Sequence, residues 1–467
     1  MTTPLEETLA QCATWREQGK TIILCDGVFD ILHAGHIAHL EESARAGDVL
    51  VVAIASDDYA ISNGHAPLNT SHDRARVVDA LSVVDMTCIV DSPAIIGMLR
   101  PDVYSKGQEY RAASADKHRS SSATRHLVES YGGKVMYTDT MMDSSSGIVL
   151  RANGAIPAAT WSWLDDFALR WRLADVQEAL DSIKDSHVVL LGERIEDTYC
   201  DVVPLIKSPR SFHDTCQLGA THTYGGGVAA INLQLEGYIA GMKTLHQQPV
   251  IEKVRFVHDG MKRFGVETIP CPLMVEEDER DVLNNLISSI RPESLLMVMD
   301  YGHGFFTQPI RDAIETLASK GHFLSINCQT NSANYGHNLA SKYSMAAYRT
   351  MDEPEYDLAY SHSHDGGILA SPPLPYTLTR GISGSTYYSA HHDPVHTPAL
   401  APKIVDRVGA GDALFAITTP LVARGCDPEM IGFIGNIMAG LHCGIVANER
   451  PITRKEIERY AKALLRH

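Results

Sequence analysis

The chain has 467 residues, 44% hydrophobic and 21% charged, with a formal net charge of -17; this balance excludes disordered and fibrous classes and argues against a general nucleic-acid binder, which needs a basic face. No run approaches the roughly 18 apolar residues of a membrane helix, and Glu6 and Glu7 precede any apolar stretch, so neither a membrane partner nor a signal peptide is expected and the chain reads as cytoplasmic. At roughly 150 residues per domain the length suits two or three units, and the pattern divides into two.

Residues 1–150 alternate apolar runs with helical patterns, which predicts a parallel sheet with crossover helices. Strands are expected at 21–25, 49–55, 85–90 and 103–106, and helices at 38–46 and 74–82. The small-residue stretch 152–159 reads as a linker and 161–183 as a helical connector, so the expected organisation is 1–150, 151–185 and 186–467. A second α/β series opens at 188–192, continues through strands at 294–299, 322–327 and 346–349, and ends in a helix from Thr453. The nine cysteines contain no C-x-x-C pair and read as buried thiols. Of the 22 histidines only His33 and His36 have a suggestive spacing; His362/His364 and His391/His392 read as solvated loop residues.

The first candidate site is Gly27-Val28-Phe29-Asp30-Ile31-Leu32-His33-Ala34-Gly35-His36. A strand ending at a glycine and feeding a helix N-terminus is an anion site, because unpaired N–H groups and the helix dipole both favour phosphate. Two imidazoles three residues apart can donate to a triphosphate as its α-phosphorus is attacked. The structural alternative is that one histidine caps the helix and the other is core. Ser56-Asp57, Asp73-Arg74-Ala75, Lys106-Gly107-Gln108-Glu109-Tyr110 and Ser144-Ser145-Ser146-Gly147-Ile148 follow in order. This set resembles the cytidylyltransferase-like nucleotidyltransferases, most closely the adenylyltransferase half of the bifunctional ADP-heptose synthases. The resemblance implies a Rossmann-like nucleotidyltransferase domain in which His33 and His36 hold the triphosphate, Gly27 and Phe29 form the nucleotide turn, and Lys106 contacts phosphate. Asp57, Arg74, Ser144, Ser145 and Ser146 would complete the nucleotide site. Asn63 and Ala66 stand where the family carries Lys and Arg, so either other basic groups such as Arg74, Lys117 or Arg119 compensate, or the activity and its substrate differ from the family's.

The second candidate site is Asp406-Arg407-Val408-Gly409-Ala410-Gly411-Asp412, which leads into an apolar helical run. Such a helix start offers N–H groups to a developing negative charge and a carboxylate to take a hydroxyl proton. Alone it also reads as a turn with an aspartate cap. With Thr379-Arg380-Gly381, Asn436, Asp197, Gly225-Gly226-Gly227 and Asp300-Tyr301-Gly302-His303-Gly304, it resembles the ribokinase-like sugar kinases over 186–467. That resemblance implies a ribokinase-like α/β domain with Asp412 as general base and Gly409, Ala410 and Gly411 as the anion hole. Asp197, Gly225, Gly226, Gly227 and Asp300 would bind the sugar, and Arg380 and Asn436 would lie near the nucleotide. Asp352 and Glu355 would occupy the segment that bears on magnesium. Ala230 replaces an expected Asn, and 327–338 is unusually rich in Asn and Ser.

Together the resemblances imply a bifunctional enzyme that phosphorylates a sugar phosphate with ATP and Mg²⁺ and then joins a sugar 1-phosphate to a nucleotide from ATP or CTP. The domain order is reversed relative to the ADP-heptose synthases, and a homodimer is expected. The alternative keeps one active domain, with the other a nucleotide-binding scaffold.

Overall fold

The computed structural model describes residues 3–63, 67–107, 115–138, 154, 156–205, 215–331, 334–361 and 371–465. The chain forms two compact units, 1–152 with 466–467, and 153–465. Both are α/β, and the first is Rossmann-like.

In the first unit β1 (Ile22–Gly27), β2 (Val49–Ala55), β3 (Met86–Val90), β4 (Val103–Gly107) and β5 (Lys134–Thr138) form one parallel sheet in the order β3-β2-β1-β4-β5. All seven residues of β2 are buried, as expected for an apolar run covered on both faces by crossover helices. Strand order reverses between β1 and β4, so their C-terminal ends frame the crevice where α/β sheets bind ligands. The first crossover helix is Ala34–Ala44, four residues earlier than the apolar pattern suggests, because His33 caps it ahead of any apolar residue. The sequence reading missed β5 and the helix Leu5–Glu17; β5 is a short strand whose apolar residues are only partly buried.

The second unit holds an eight-stranded sheet in the order β17-β16-β15-β14-β13-β12-β6-β9. Its strands are β6 (His187–Gly192), β9 (Gly241–Leu245), β12 (Leu295–Asp300), β13 (Phe323–Cys328), β14 (Tyr348–Asp352), β15 (Tyr376–Thr379), β16 (Ser385–Tyr388) and β17 (Val395–Thr397). β9, β6, β12, β13, β14 and β15 run parallel, and β16 and β17 are antiparallel. A separate four-stranded sheet, β11-β10-β7-β8, is built from β7 (Arg194–Pro204), β8 (Cys216–Gly227), β10 (Ile251–His258) and β11 (Met261–Thr268). This sheet was not anticipated, since all eight residues of β11 and most of β8 are exposed and lack a buried, apolar face.

The expected connector at 161–183 is two helices, Ala158–Ala168 and Leu173–Ser182. They break at Arg172, whose extended backbone N–H donates to the Asp175 carboxylate at 2.7 Å. Phe167 stacks on Phe433 with ring centroids 4.5 Å apart, so these helices join the core of the second unit. Among the described residues no helix is long and apolar enough to cross a membrane. Five cysteines are buried as expected, but Cys271 is exposed, since it sits in an irregular loop rather than on a strand.

Candidate functional site

The first site lies where β1 and β4 end. A Cβ on Gly27 would meet the Phe29 ring at 2.9 Å, and Phe29 itself adopts a left-handed φ of +49°. For a bulky residue that backbone is costly and marks a turn held by its surroundings. The turn delivers His33 as the N-cap, its Nδ1 accepting from Gly35 N–H at 3.2 Å. The His33 and His36 rings lie 3.9 Å apart, and Phe29 is 5.4 Å from His36. Burial pushes the His36 pKa down to about 4, and the charges of His33 and His39 push the same way. His36 is therefore neutral near pH 7, and its buried Nδ1 has no hydrogen-bond partner among the described residues. The structural alternative is what the geometry shows, with His33 as cap and His36 buried, and the two rings stand together at the start of the helix.

The cations of this site are committed elsewhere. The buried Arg74 guanidinium donates to Asn69 O at 3.1 Å, Ala55 O at 2.8 Å, Val28 O and Asp57 Oδ1 at 2.7 Å. It joins the β1 turn, the end of β2 and the following loop, so all of its contacts here are internal and favour the alternative in which it does not compensate. Asp57 also accepts from Ser71 N–H at 3.1 Å, and the Arg74 hydrogen bond above all holds its pKa low. Lys106 Nζ is 2.7 Å from Asp26 Oδ1, which also accepts from Tyr104 Oη at 2.6 Å. Asn63 turns its amide onto Tyr59 O at 2.7 Å. Ser144, Ser145, Ser146, Ala66 and the side chains of Lys117 and Arg119 lie outside the described residues, as do His362 and His364.

In the second unit the helix Ala410–Ala423 begins after Gly409, whose φ is +84°. A Cβ at Gly409 would lie 2.8 Å from His442 Cε1, so the turn requires glycine on both counts. Asp412 is thus not the cap but lies in the first turn. Ala410 N–H donates to Arg407 O at 3.3 Å, which moves the expected anion hole towards the N–H groups of Gly411 and Asp412. The Asp412 carboxylate is 8% exposed and accepts from Tyr301 Oη at 2.9 Å and from Gln329 Nε2 at 2.7 Å. Burial raises its pKa to about 6 against those two donors, and the charge of Asp197 adds to the rise.

Asp197, on β7, is paired with Arg255 of β10 at 2.7 Å. Gly226 lies opposite Ile195 in the β7–β8 ladder, and a Cβ there would stand 2.6 Å from Asp197 Oδ2. The glycine run therefore lets the backbone approach that carboxylate. Asp300, expected to bind sugar, is occupied internally by Gly302 N–H at 2.9 Å and Lys342 Nζ at 2.6 Å, with the Tyr343 hydroxyl a third donor. It fixes the turn that carries Tyr301. Glu193 braces the same turn, accepting from Tyr301 N–H at 3.0 Å and His303 N–H at 3.2 Å. Its pKa is driven up to about 8, first by burial and then by Asp300. The Asn-rich segment has the same task, with Asn331 donating to Tyr301 O at 2.7 Å and Asn338 to Asp300 O at 2.9 Å.

Asp352 and Glu355 form a capping box: Glu355 N–H donates to Asp352 at 2.8 Å and Asp352 N–H to Glu355 at 2.9 Å. Glu355 is buried and pushed up to about 7, mainly by that burial and then by Asp352. Among the described residues no group of three or more His, Cys, Asp or Glu could hold a metal. Magnesium does not need one, since it binds through one or two carboxylates plus substrate phosphates. Arg380 is engaged by Glu353 at 3.1 Å and Thr386 at 2.8 Å, and Asn436 is buried against Ser385 Oγ at 2.7 Å. The sequence reading assigned no role to Gln329, Glu193, Asp26 or Arg255. Asp26 directly precedes Gly27 and could have been noticed, whereas Gln329 carries no local signal.

A family model described as Cytidylyltransferase-like matches residues 24–149. The Bifunctional protein HldE of Methylobacillus flagellatus is 35% identical over 152 residues, covering 32% of this chain and 30% of that relative. That of Streptomyces coelicolor is 35% identical over 151 residues, 31% of each. The chain thus spans about a third of the length of these curated relatives. Among solved structures, Phosphofructokinase-2 from Escherichia coli is 12% identical and covers 60% of this chain and 99% of its own, with a TM-score of 0.46.

Proposed function

We propose that the chain is a bifunctional transferase. Its second unit, read as a ribokinase-like sugar kinase, phosphorylates a sugar hydroxyl from ATP; its first unit joins a sugar 1-phosphate to a nucleotide with release of pyrophosphate. The product class is a nucleotide-activated sugar of the ADP-heptose type. What carries the reading is Asp412, a buried carboxylate in the first turn of a helix whose pKa of about 6 suits a general base near neutral pH. The acceptor hydroxyl displaces one of its two donors, Asp412 takes the hydroxyl proton, and the transferring phosphoryl group meets the N–H groups at the helix start. Asp197 and the glycine run 225–227 at the end of β8 orient the sugar. Asp352 and Glu355 are the carboxylates that would hold Mg²⁺, which would supply charge neutralisation of the triphosphate. In the first unit the neutral His36, with His33, donates to the triphosphate; this step is supported by the Cytidylyltransferase-like match.

The test is a ³¹P NMR time course with ATP, CTP, Mg²⁺ and D-glycero-D-manno-heptose 7-phosphate. A sugar bisphosphate signal is the expected first product. A nucleotide-sugar should follow once a phosphatase removes the other phosphate. Absence of both signals across a panel of sugar phosphates would overturn the reading. A second reading, in which only the kinase turns over, is favoured by one observation: Arg74 and Lys106 are both engaged by protein groups. Kinase product without nucleotide-sugar from supplied sugar 1-phosphate would select it.

A further inference from the structure

Asp406 opens the run that leads to Gly409, and the mechanism above leaves it without a role. Its carboxylate meets four donors: Lys262 Nζ at 2.8 Å and Val408 N–H at 3.1 Å on Oδ1, Tyr199 Oη at 2.9 Å and Ala447 N–H at 3.3 Å on Oδ2. Tyr199 lies on β7 and Lys262 on β11, so half of these donors come from the four-stranded sheet. The Tyr199 ring lies under the Lys262 ammonium at 5.2 Å and the Arg255 guanidinium at 5.9 Å, and Arg255 pairs with Asp197. A continuous polar series therefore runs from Asp197 through Arg255, Tyr199 and Lys262 to Asp406 and on to the Gly409 turn. Burial pushes the Asp406 carboxyl up, but Lys262, Val408 N–H and Tyr199 together hold it below the usual range, so it is charged at neutral pH. An ion pair with a partly exposed lysine contributes little to stability, so this contact matters less for holding the fold than for what it joins.

We propose that Lys262 is a positioning residue for phosphoryl transfer: by holding Asp406 it fixes the 407–411 turn relative to the sheet that carries Asp197, so that acceptor and phosphoryl group are aligned together. The proposal rests on the sugar-kinase reading of this unit. Alignment is worth much, since a shift of about 1 Å can cost on the order of 100-fold in rate.

The test uses the full-length chain as Lys262→Met, Lys262→Arg and, as a control, Arg263→Met, an exposed cation on the same strand. ADP formation is measured with ATP, Mg²⁺ and a sugar phosphate that the wild type accepts, alongside hydrogen exchange of residues 406–411 without substrate. Lys262→Met should lower kcat about 30-fold with acceptor KM changed less than threefold, and should speed exchange in the turn. Lys262→Arg should recover most of the rate, and Arg263→Met should match wild type. Wild-type turnover and exchange in Lys262→Met would overturn the proposal, as would an equal loss in Arg263→Met. A change confined to acceptor KM would make Lys262 a ligand instead, and also overturn it. If wild type forms no ADP with any acceptor, the kinase reading fails; unchanged exchange in Lys262→Met would then separately overturn the coupling of sheet and turn.

Discussion

The two candidate sites handle charge in opposite ways. At the end of β1 the cations are neutralised: Arg74 is buried on three carbonyls and Asp57, and Lys106 rests on Asp26. What is offered to an anion is a pair of imidazoles, one of them held neutral, and a helix start. In the second unit a carboxylate is buried beside two hydrogen-bond donors and its proton affinity is raised, and it stands in the first turn of the helix whose start is the proposed anion hole. The first arrangement can stabilise charge but has little capacity to take a proton; the second can do both. Nucleotidyl transfer to a phosphate oxygen needs no base, whereas phosphorylation of a hydroxyl does, so the contrast matches the two proposed reactions.

The sharpest way to break this comparison is to cross two substitutions. Asp412→Asn should lower ADP formation by about 10³- to 10⁴-fold, because an amide cannot take the hydroxyl proton, and should leave nucleotidyl transfer from supplied sugar 1-phosphate at the wild-type rate. A kinase rate within tenfold of wild type would remove Asp412 as the base. Next in size is Arg74→Met. It strips the partner from three buried carbonyls and from Asp57, and should destabilise the first unit by about 3–5 kcal/mol. Urea unfolding followed by a first-unit probe such as Trp15 should show an earlier transition, with ADP formation retained in mild conditions. An unmoved transition would mean that Arg74 is exchangeable with water and available to phosphate after all. Smaller again, His36→Ala should reduce nucleotidyl transfer by roughly 10²-fold and leave the kinase untouched; if both products persist, the first unit is a scaffold.

Legibility in the sequence follows the same division. The glycines at strand ends and helix starts were readable because left-handed or crowded backbone admits little else, as at Gly409 and Gly226. The central strands were readable from apolar runs such as 49–55. The four-stranded sheet was not, because β8 and β11 are exposed along most of their length and carry no periodic apolar face. Nor were the partners of the charges: an arginine in Asp73-Arg74-Ala75 looks the same whether it faces phosphate or is buried on carbonyls, and only the fold brings Val28, Ala55 and Asn69 around it. The same holds for Asp300, where the aspartate at a strand end was visible but Lys342 and Tyr343, more than 40 residues on, were not.

The finest discrimination concerns Tyr301 and the acid limb of the kinase. Only the ionised Asp412 can accept a proton, so with a pKa of about 6 kcat should be flat above that pH and fall about tenfold per unit below it. The Tyr301 hydroxyl donates to the charged carboxylate and so favours ionisation. Removing it in Tyr301→Phe should raise the Asp412 pKa, moving the acid limb towards neutrality by up to about one unit. The rate at pH 5 should then drop several-fold while the rate at pH 8 changes less than about threefold. A limb that stays in place would assign it to another group, for which Glu355, raised to about 7 mainly by burial, is a candidate. A limb that moves downward would mean that the tyrosine holds Asp412 protonated, and the carboxylate would then be poised as an acid instead of a base.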